Sequence, residues 1–390
     1  MSGLVRVAAA RLFEAAGPLS AAWSSGAASW GARHGILLQL RDEEGGLGQG
    51  EASPLPGFST DSLDEARAAL LATPWENLPA LRPGEDLPGQ VEGFLDRAGL
   101  IAPSARFAAE TALLDLAGQR LGLPIHVLLA KSGEAHPSSG SSREAPGSPK
   151  DRACQSALPL AAALMVNRLD EARRRLAEGY RVLKLKVGRS PAEELALLAA
   201  LRSEAGADVV LRADANGTLD PDGAAAWLRT AADLGVEFVE EPLPLHDVPR
   251  LLPSPVPLAL DESLPPGESS TLEAALDRGA YRYVVLKPAY HGGALRCRRL
   301  AACARGRGAE PVISHLLGGP VGLAAAAELA LALRPCPAAG LAPHPGLAIW
   351  PPVALPAFGG GELVPHDRPG LGLPTLSGES GGGAWREIGP

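Results

Sequence analysis

Lysines are the residues of this chain whose type and placement first suggest chemistry. Val182-Leu183-Lys184-Leu185-Lys186-Val187 alternates apolar and charged side chains with period two, a strand pattern that puts Lys184 and Lys186 on one face. Two neighbouring ammonium groups repel, so an ordinary core face would not carry them. The chain otherwise avoids lysine: of 36 Lys and Arg residues only 5 are lysines, at positions 131, 150, 184, 186 and 287. Arginine stays protonated in proteins, whereas a buried or cation-flanked lysine can give up its proton near neutral pH. Lysine kept at 184, 186 and 287 therefore points to proton transfer.

Carboxylates stand where the neighbouring apolar runs end, in Leu211-Arg212-Ala213-Asp214-Ala215-Asn216, Phe238-Val239-Glu240-Glu241-Pro242 and Leu258-Ala259-Leu260-Asp261-Glu262-Ser263. Another such run ends in Lys287-Pro288. If the runs are parallel strands of a barrel, their C-terminal ends share one mouth, where active sites are built. Crowded carboxylates repel, and a divalent cation relieves the repulsion. Hard oxygen donors, with no Cys or His at metal spacing, favour Mg²⁺, with Mn²⁺ able to substitute. Neighbours on a strand point to opposite sides, so one residue of each acidic pair should bind the ion. The expected ligands are Asp214, Glu240 and Asp261, with Glu241 and Glu262 close by. Nearby positive charge would favour a neutral Lys186 amine, available as a base. Arg212 shares the face of Asp214 and is expected to fix a carboxylate by paired hydrogen bonds. Asn216 would serve the ion or its waters, and Lys184 would support the cage.

The elements that must position these residues follow a rhythm from about residue 157. Strand candidates lie at 158–165, 182–187, 208–213, 236–240, 256–260, 282–287, 310–314 and 346–350. Helices are expected at 168–179, 190–204, 221–234, 270–278, 293–306 and 320–333. Alternation of this kind argues for parallel βαβ units and a compact barrel over 155–352. Residues 1–128 read as a separate α+β domain. It has a strand at 35–41, a turn at Asp42–Gly46, a helix capped by Ser59 or Thr60 and running through Leu71, and helices near 88–98 and 104–121. Gly46-Leu47-Gly48-Gln49-Gly50 looks like a phosphate loop but lacks the following Lys-Ser/Thr, so it reads as part of a hairpin. The stretch 131–152 is Ser, Gly, Pro and charge, expected as a flexible linker or insertion. Residues 355–376 are expected to return to the first domain through Glu362–Pro365, and 377–390 to be a disordered tail.

Composition removes several classes of function. A net charge of −8 and 4% aromatic residues disfavour a nucleic-acid or anionic-membrane surface. The 4 cysteines have no metal or CxxC spacing and read as reduced thiols of a cytoplasmic protein. The first residues carry charge where a signal peptide needs an apolar core. Nothing in the pattern specifies an oligomeric state.

The segments Lys-Leu-Lys, Asp-Ala-Asn, Glu-Glu-Pro, Asp-Glu-Ser and Lys-Pro resemble, in order and approximate spacing, the enolase superfamily in its muconate-lactonizing subgroup. Gly50–Gly57 is similar to the segment that closes that family's N-terminal domain over the barrel, and Ala105–Asp115 to its helix before the barrel. The resemblance implies a (β/α)₇β TIM-like barrel with an N-terminal α+β capping domain. It implies Mg²⁺ on Asp214, Glu240 and Asp261, with Lys186 and Lys287 facing each other across a small-molecule carboxylate substrate. Within the subgroup, Pro54-Leu55-Pro56-Gly57-Phe58 and Lys287-Pro288-Ala289-Tyr290-His291-Gly292-Gly293 are most similar to the o-succinylbenzoate synthases. Those enzymes dehydrate 2-succinyl-6-hydroxy-2,4-cyclohexadiene-1-carboxylate in menaquinone synthesis. Substrate contacts are then expected from Pro56, Phe58 and Ser314, and from backbone amides at Gly318 and Gly319 near a helix start. Lid candidates are Ser24–Trp30 and Pro56–Ser59. Rival readings on the same fold are an N-succinylamino acid racemase and a dipeptide epimerase. The dipeptide reading is weakened because Glu328 is the only acid between residues 314 and 350. His315 is a further candidate base, though a lone strand-end histidine is more often a hydrogen-bonded core residue. A non-enzymatic scaffold is disfavoured, because no lysine or carboxylate of the set is missing.

Overall fold

The computed structural model describes residues 4–25, 28–82, 86–131, 157–164, 168–343, 353–376 and 385–389. Most of the expected 131–152 insertion, the tip of the Ser24–Trp30 lid candidate, Cys154 and the strand expected at 346–350 lie outside them. Among the described residues no helix is long and apolar enough to cross a membrane, and Cys297, Cys303 and Cys336 are free thiols.

The N-terminal domain is an antiparallel sheet backed by helices. Its strands are β1 (Val7–Ser25), β2 (Ala28–Asp42) and β3 (Leu47–Ala52), and Asp42 stabilises the turn between the last two by accepting from Gly46 N at 2.7 Å. Gly48 and Gly50 lie on β3, where a Cβ on either would collide with the carbonyls of Ala112 and Ala108. The glycines let the helix Pro103–Leu121 sit directly on the strand, which accounts for a run that imitates a phosphate loop. That helix is buried without a break from Ser104 to Gly118, and Gly122 closes it in the left-handed conformation at φ 64°. The helix Leu63–Ala72 starts from Ser62, not from Ser59 or Thr60, because Ser62 and Glu65 form a reciprocal capping box.

The second domain is the barrel. A two-residue strand, β4 (Leu158–Pro159), precedes seven parallel strands: β5 (Ala161–Leu164), β6 (Val182–Lys186), β7 (Val210–Asp214), β8 (Val236–Glu240), β9 (Leu258–Leu260), β10 (Tyr281–Leu286) and β11 (Glu310–Ile313). They hydrogen-bond in sequence order from β5 to β11. Closure falls to Ala339 and Gly340. Ala161 N donates to Ala339 O at 2.8 Å, and Gly340 N donates to Ile313 O at 2.8 Å, so this pair bridges β5 and β11. The ring is therefore TIM-like, with seven helix-connected strands and a minimal eighth. Its interior holds two apolar clusters, Phe238, Ala259, Val285 and Val312 in one and Ala161, Val182 and Ala338 in another, with the buried Arg212 side chain over Phe238.

The C-terminal segment departs from expectation twice. β12 (Phe358–Gly359) and β13 (Glu362–Leu363) pair with β4 beside the barrel, so residues 362–363 do not return to the first domain. The return occurs later, where Gln49 meets the backbone of Leu376 and Asp115 accepts from Leu371 N at 2.9 Å. The expected disordered tail is corrected in part, since β14 (Trp385–Ile388) adds to the edge of β1. Arg11 pairs with Glu387 there, and an open strand edge is a strong template for such pairing.

Candidate active site

Strand ends β6, β7 and β8 set Lys186, Asp214 and Glu240 abreast in register. Asp261 and Lys287 follow one residue beyond β9 and β10, so the predicted residues meet at one mouth. Lys184 Nζ lies 2.8 Å from Asp214 Oδ2 and 3.1 Å from Glu240 Oε2. Lys186 Nζ lies 2.7 Å from the same Asp214 oxygen and 2.8 Å from Asn216 Oδ1. Lys287 pairs with Asp261 and stands 4.4 Å from the centroid of the Phe58 ring. β6 and β10 are four strands apart in the sheet order, so Lys186 and Lys287 approach from opposite sides of the mouth.

Burial raises the stakes of every charge. Burial pushes the Asp214 carboxyl up, but Lys184 and Lys186 outweigh it and hold it below the usual carboxylate range. Asp261 is pushed well up by burial and by Glu262 and Glu240, which outweigh Lys287. Glu262 is raised for similar reasons. Burial favours neutral Lys287, yet Asp261 and Glu262 overcome it and keep the ammonium form. Lys184 is held cationic in the same way by Asp214 and Glu240.

The second residue of each acidic pair has a distinct role. Glu241 turns away and accepts from Asp261 N at 2.7 Å and Ser263 N at 3.0 Å, fixing the strand end that carries Asp261. Glu262 lines the cavity, its Oε1 accepting from Asn216 Nδ2 while its buried Oε2 has no hydrogen-bond partner. Asn216 at φ 45° and Glu241 at φ 41° occupy the left-handed region, a strain that clusters at functional sites.

Other expectations need correction. Arg212 does not hold a carboxylate of the cage. It donates through Nε to Glu237 at 2.6 Å and through Nη1 to Ala338 O at 2.7 Å, one layer deeper in the barrel. The Gly319 amide is not open to a substrate, because Glu51 fills that place, and Gly318 lines a smaller pocket beside Glu51. Glu51 accepts from Gly319 N and from Gly322 N at 3.0 Å, capping the helix Pro320–Ala332 from the N-terminal domain. Pro56 faces an outer groove and accepts the Trp30 indole N–H at 2.8 Å. Phe58 and Ser314 do line the cavity, with Leu55, Leu316 and Leu317. Sequence reasoning missed Arg175, Leu316 and Leu317 at the cavity and placed Glu262 only as a neighbour of the expected ligands.

A second cluster lies away from the mouth. Glu328 accepts from His126 N at 2.6 Å and from His126 Nδ1 at 2.9 Å, and pairs with His366 Nε2 at 2.8 Å. The three contacts engage both carboxylate oxygens, so the group acts as a hydrogen-bonded clasp between the helix Ile125–Lys131, the last barrel helix and the C-terminal segment. Burial opposes ionisation of Glu328, but the two histidines hold its carboxyl below the ordinary value.

A capped barrel with lysines and carboxylates at its C-terminal mouth defines a class of enzymes that carry out acid–base chemistry there. Residues 167–376 match the family model for the enolase C-terminal domain-like fold, and residues 14–130 match that for the mandelate racemase / muconate lactonizing enzyme N-terminal domain. The chain belongs to the enolase superfamily and is an enzyme of that family. It is 30% identical over 348 residues to an L-Lys-D/L-Arg epimerase of Methylococcus capsulatus, covering 87% of this chain and 90% of the relative. It is 31% identical over 344 residues to an o-succinylbenzoate synthase of Salmonella typhimurium, covering 85% and 91%. Among solved structures, a dipeptide epimerase from Methylococcus capsulatus complexed with Mg and the dipeptide L-Arg-D-Lys superposes with TM-score 0.75 at 28% identity, over 94% of this chain and 99% of that one.

Proposed function

We propose that this chain is a Mg²⁺-dependent hydro-lyase, an o-succinylbenzoate synthase acting on 2-succinyl-6-hydroxy-2,4-cyclohexadiene-1-carboxylate. The carrying observation is the distribution of charge around the cavity. Its carboxylates, Asp214, Glu240 and Glu262, come from the strand ends between those of Lys186 and Lys287, and the rest of the described wall is apolar, Ser314, His315, Arg175 and Arg212. A substrate with a second carboxylate suits that wall. A dipeptide with a free ammonium and cationic side chains finds no acid there among the described residues.

The donor set fits a hard divalent ion. Asp214, Glu240 and Asp261 are buried together, and the orphaned Glu262 oxygen beside them shows unmet demand for positive charge. When bound, Mg²⁺ would make the C–H next to the substrate carboxylate more acidic and stabilise the developing negative charge. Lys186 removes that proton, its amine positioned by Asp214 and Asn216. The ammonium so formed returns the proton to the departing hydroxyl, and water leaves. Lys287, kept cationic by Asp261, stabilises charge from the opposite side. Leu55 and Phe58 close the mouth and keep bulk water out. The outcome is one C–H and one C–O bond broken, with a gained aromatic ring.

The test is to incubate purified protein and Mg²⁺ with the cyclohexadiene substrate, with N-succinylamino acids and with Lys/Arg dipeptides. Dehydration is the expected dominant activity. Racemisation or epimerisation without dehydration would overturn the proposal. The epimerase relative gives that second reading its support, since Lys186 and Lys287 on opposite sides suit a proton taken from one face and returned to the other.

A further inference from the structure

We infer that Arg33 is a positioning residue that locks together the two loops whose side chains line the substrate cavity. Arg33 lies on β2, outside the barrel, and is 1% exposed. Its guanidinium donates to four main-chain carbonyls. Nη1 reaches Pro54 O at 2.9 Å and Nη2 reaches Ser53 O at 2.6 Å, both in the loop of the N-terminal domain that carries Leu55 and Phe58. Nε reaches Leu317 O at 3.0 Å and Nη2 also reaches Leu316 O at 3.2 Å, in the loop after β11. Leu55, Phe58, Leu316 and Leu317 all line the cavity, and Leu55, Phe58 and Leu316 pack in one apolar cluster where the two loops meet. One planar cation thus ties the lid to the barrel loop packed against it.

The barrel loop needs such a tie. Leu317 has φ 52°, which costs a non-glycine residue energy unless its surroundings enforce it. Arg33 enforces it at the carbonyl, and Glu51 enforces it two residues on by capping Gly319. The fixed fork of arginine can address four oxygens on two loops, whereas the single nitrogen of lysine cannot. Arg33 touches no reacting atom. Its effect on turnover passes through the position of Leu316 and Leu317, hence through the fit of whatever part of the substrate lies beyond the lysines.

The inference rests on this cavity being the substrate site, not on which substrate is turned over. The test compares full-length Arg33→Lys and Arg33→Met with the natural chain. Hydrogen exchange, read by mass spectrometry with no substrate present, is expected to rise together in residues 53–60 and 314–320 in both variants. With whichever assayed compound the natural chain turns over, KM is expected to rise at least tenfold while kcat changes much less. Independent exchange of the two segments overturns the tie itself. Faster exchange with an unchanged KM reduces Arg33 to a stabilising role. Full recovery by Arg33→Lys shows that charge, not the span of the fork, is what matters, and also overturns the inference. A failure of the dehydration reading leaves the exchange result unaffected, so the two are separable.

Discussion

Glu110 offers a test of how the two domains are joined. It projects from the helix Pro103–Leu121, is fully buried, and accepts main-chain N–H groups from Ala294 and, at 3.2 Å, Leu295. It therefore caps the start of the helix Ala294–Gly306, which follows the loop bearing Lys287. Burial pushes its carboxyl from 4.5 to about 7, against the pull of the two N–H groups. The folded state thus binds this proton more tightly than the unfolded state does. The stabilising effect of protonation is complete below the unfolded value and is lost as pH rises through about 7. At about 1.4 kcal/mol per pH unit, the cost of holding the ionised form is about 3 kcal/mol. Glu110→Gln keeps an oxygen for the two N–H groups and never ionises, although its new NH₂ group needs an acceptor, at a cost of about 1 kcal/mol. The variant should be more stable than the natural protein by about 2 kcal/mol at pH 8.5 and less stable by about 1 kcal/mol at pH 4.5. Urea unfolding of both proteins across that range measures the difference. Asp115 and Glu241 also titrate near neutrality but are common to both chains, so they cancel. A difference that does not vary with pH, or a loss of stability at pH 8.5, would refute the reasoning.

Other outcomes follow from the same geometry. Lys186→Arg should keep the ion pair with Asp214 and melt within a few degrees of the natural chain, yet lose at least about 100-fold in turnover because its proton cannot be shed; near-normal rates would remove Lys186 from the base role. Chelator-treated protein should lose activity and regain it with Mg²⁺, and Asp214→Asn should weaken Mg²⁺ binding measured by calorimetry; equal affinity in that variant would place the ion elsewhere. Glu328→Ala strands three N–H donors and should cost about 3 kcal/mol or more at pH 7. Since the Glu328 carboxyl is held below its ordinary value, that contribution exists above the unfolded value and fades as pH falls through the folded one. The gap between natural and variant chains, followed by thermal melts, should therefore narrow in acid.

The chemistry of the mouth was legible because it is written locally. Each strand announces itself by a short apolar run, and each functional residue sits at the end of one, so Lys186, Asp214, Glu240, Asp261 and Lys287 are placed together by topology alone. What escaped is carried by contacts between distant segments. Gly319 reads as a free helix start until Glu51, 268 residues earlier, is seen to cap it. Arg33 is one of many arginines in the sequence, and only packing shows its four acceptors. Arg212 shares a strand face with Asp214, but which acid it meets depends on Glu237 of the next strand. The bridge at Ala339 and Gly340 is not legible, because these two residues give almost no pattern of their own and the neighbours on each side supply the pairing. His126, Glu328 and His366 converge from three helices and loops that no spacing rule connects.

The close seat of the helix Pro103–Leu121 on Gly48 and Gly50 bears on how this molecule can be cut and rejoined. That helix belongs by sequence to the first domain, but its side chains are shared property: Glu110 reaches the start of a barrel helix, and Asp115 holds Leu371 near the end of the chain. A chimera that exchanges the first domain at residue 128 would import a foreign helix into this joint. Either glycine replaced by alanine would lift the rod away from the sheet and, through Glu110, tug at the loop bearing Lys287. Shuffling lids between relatives should then succeed only when the rod, its two bare contact points and its receiving helix travel as one cassette.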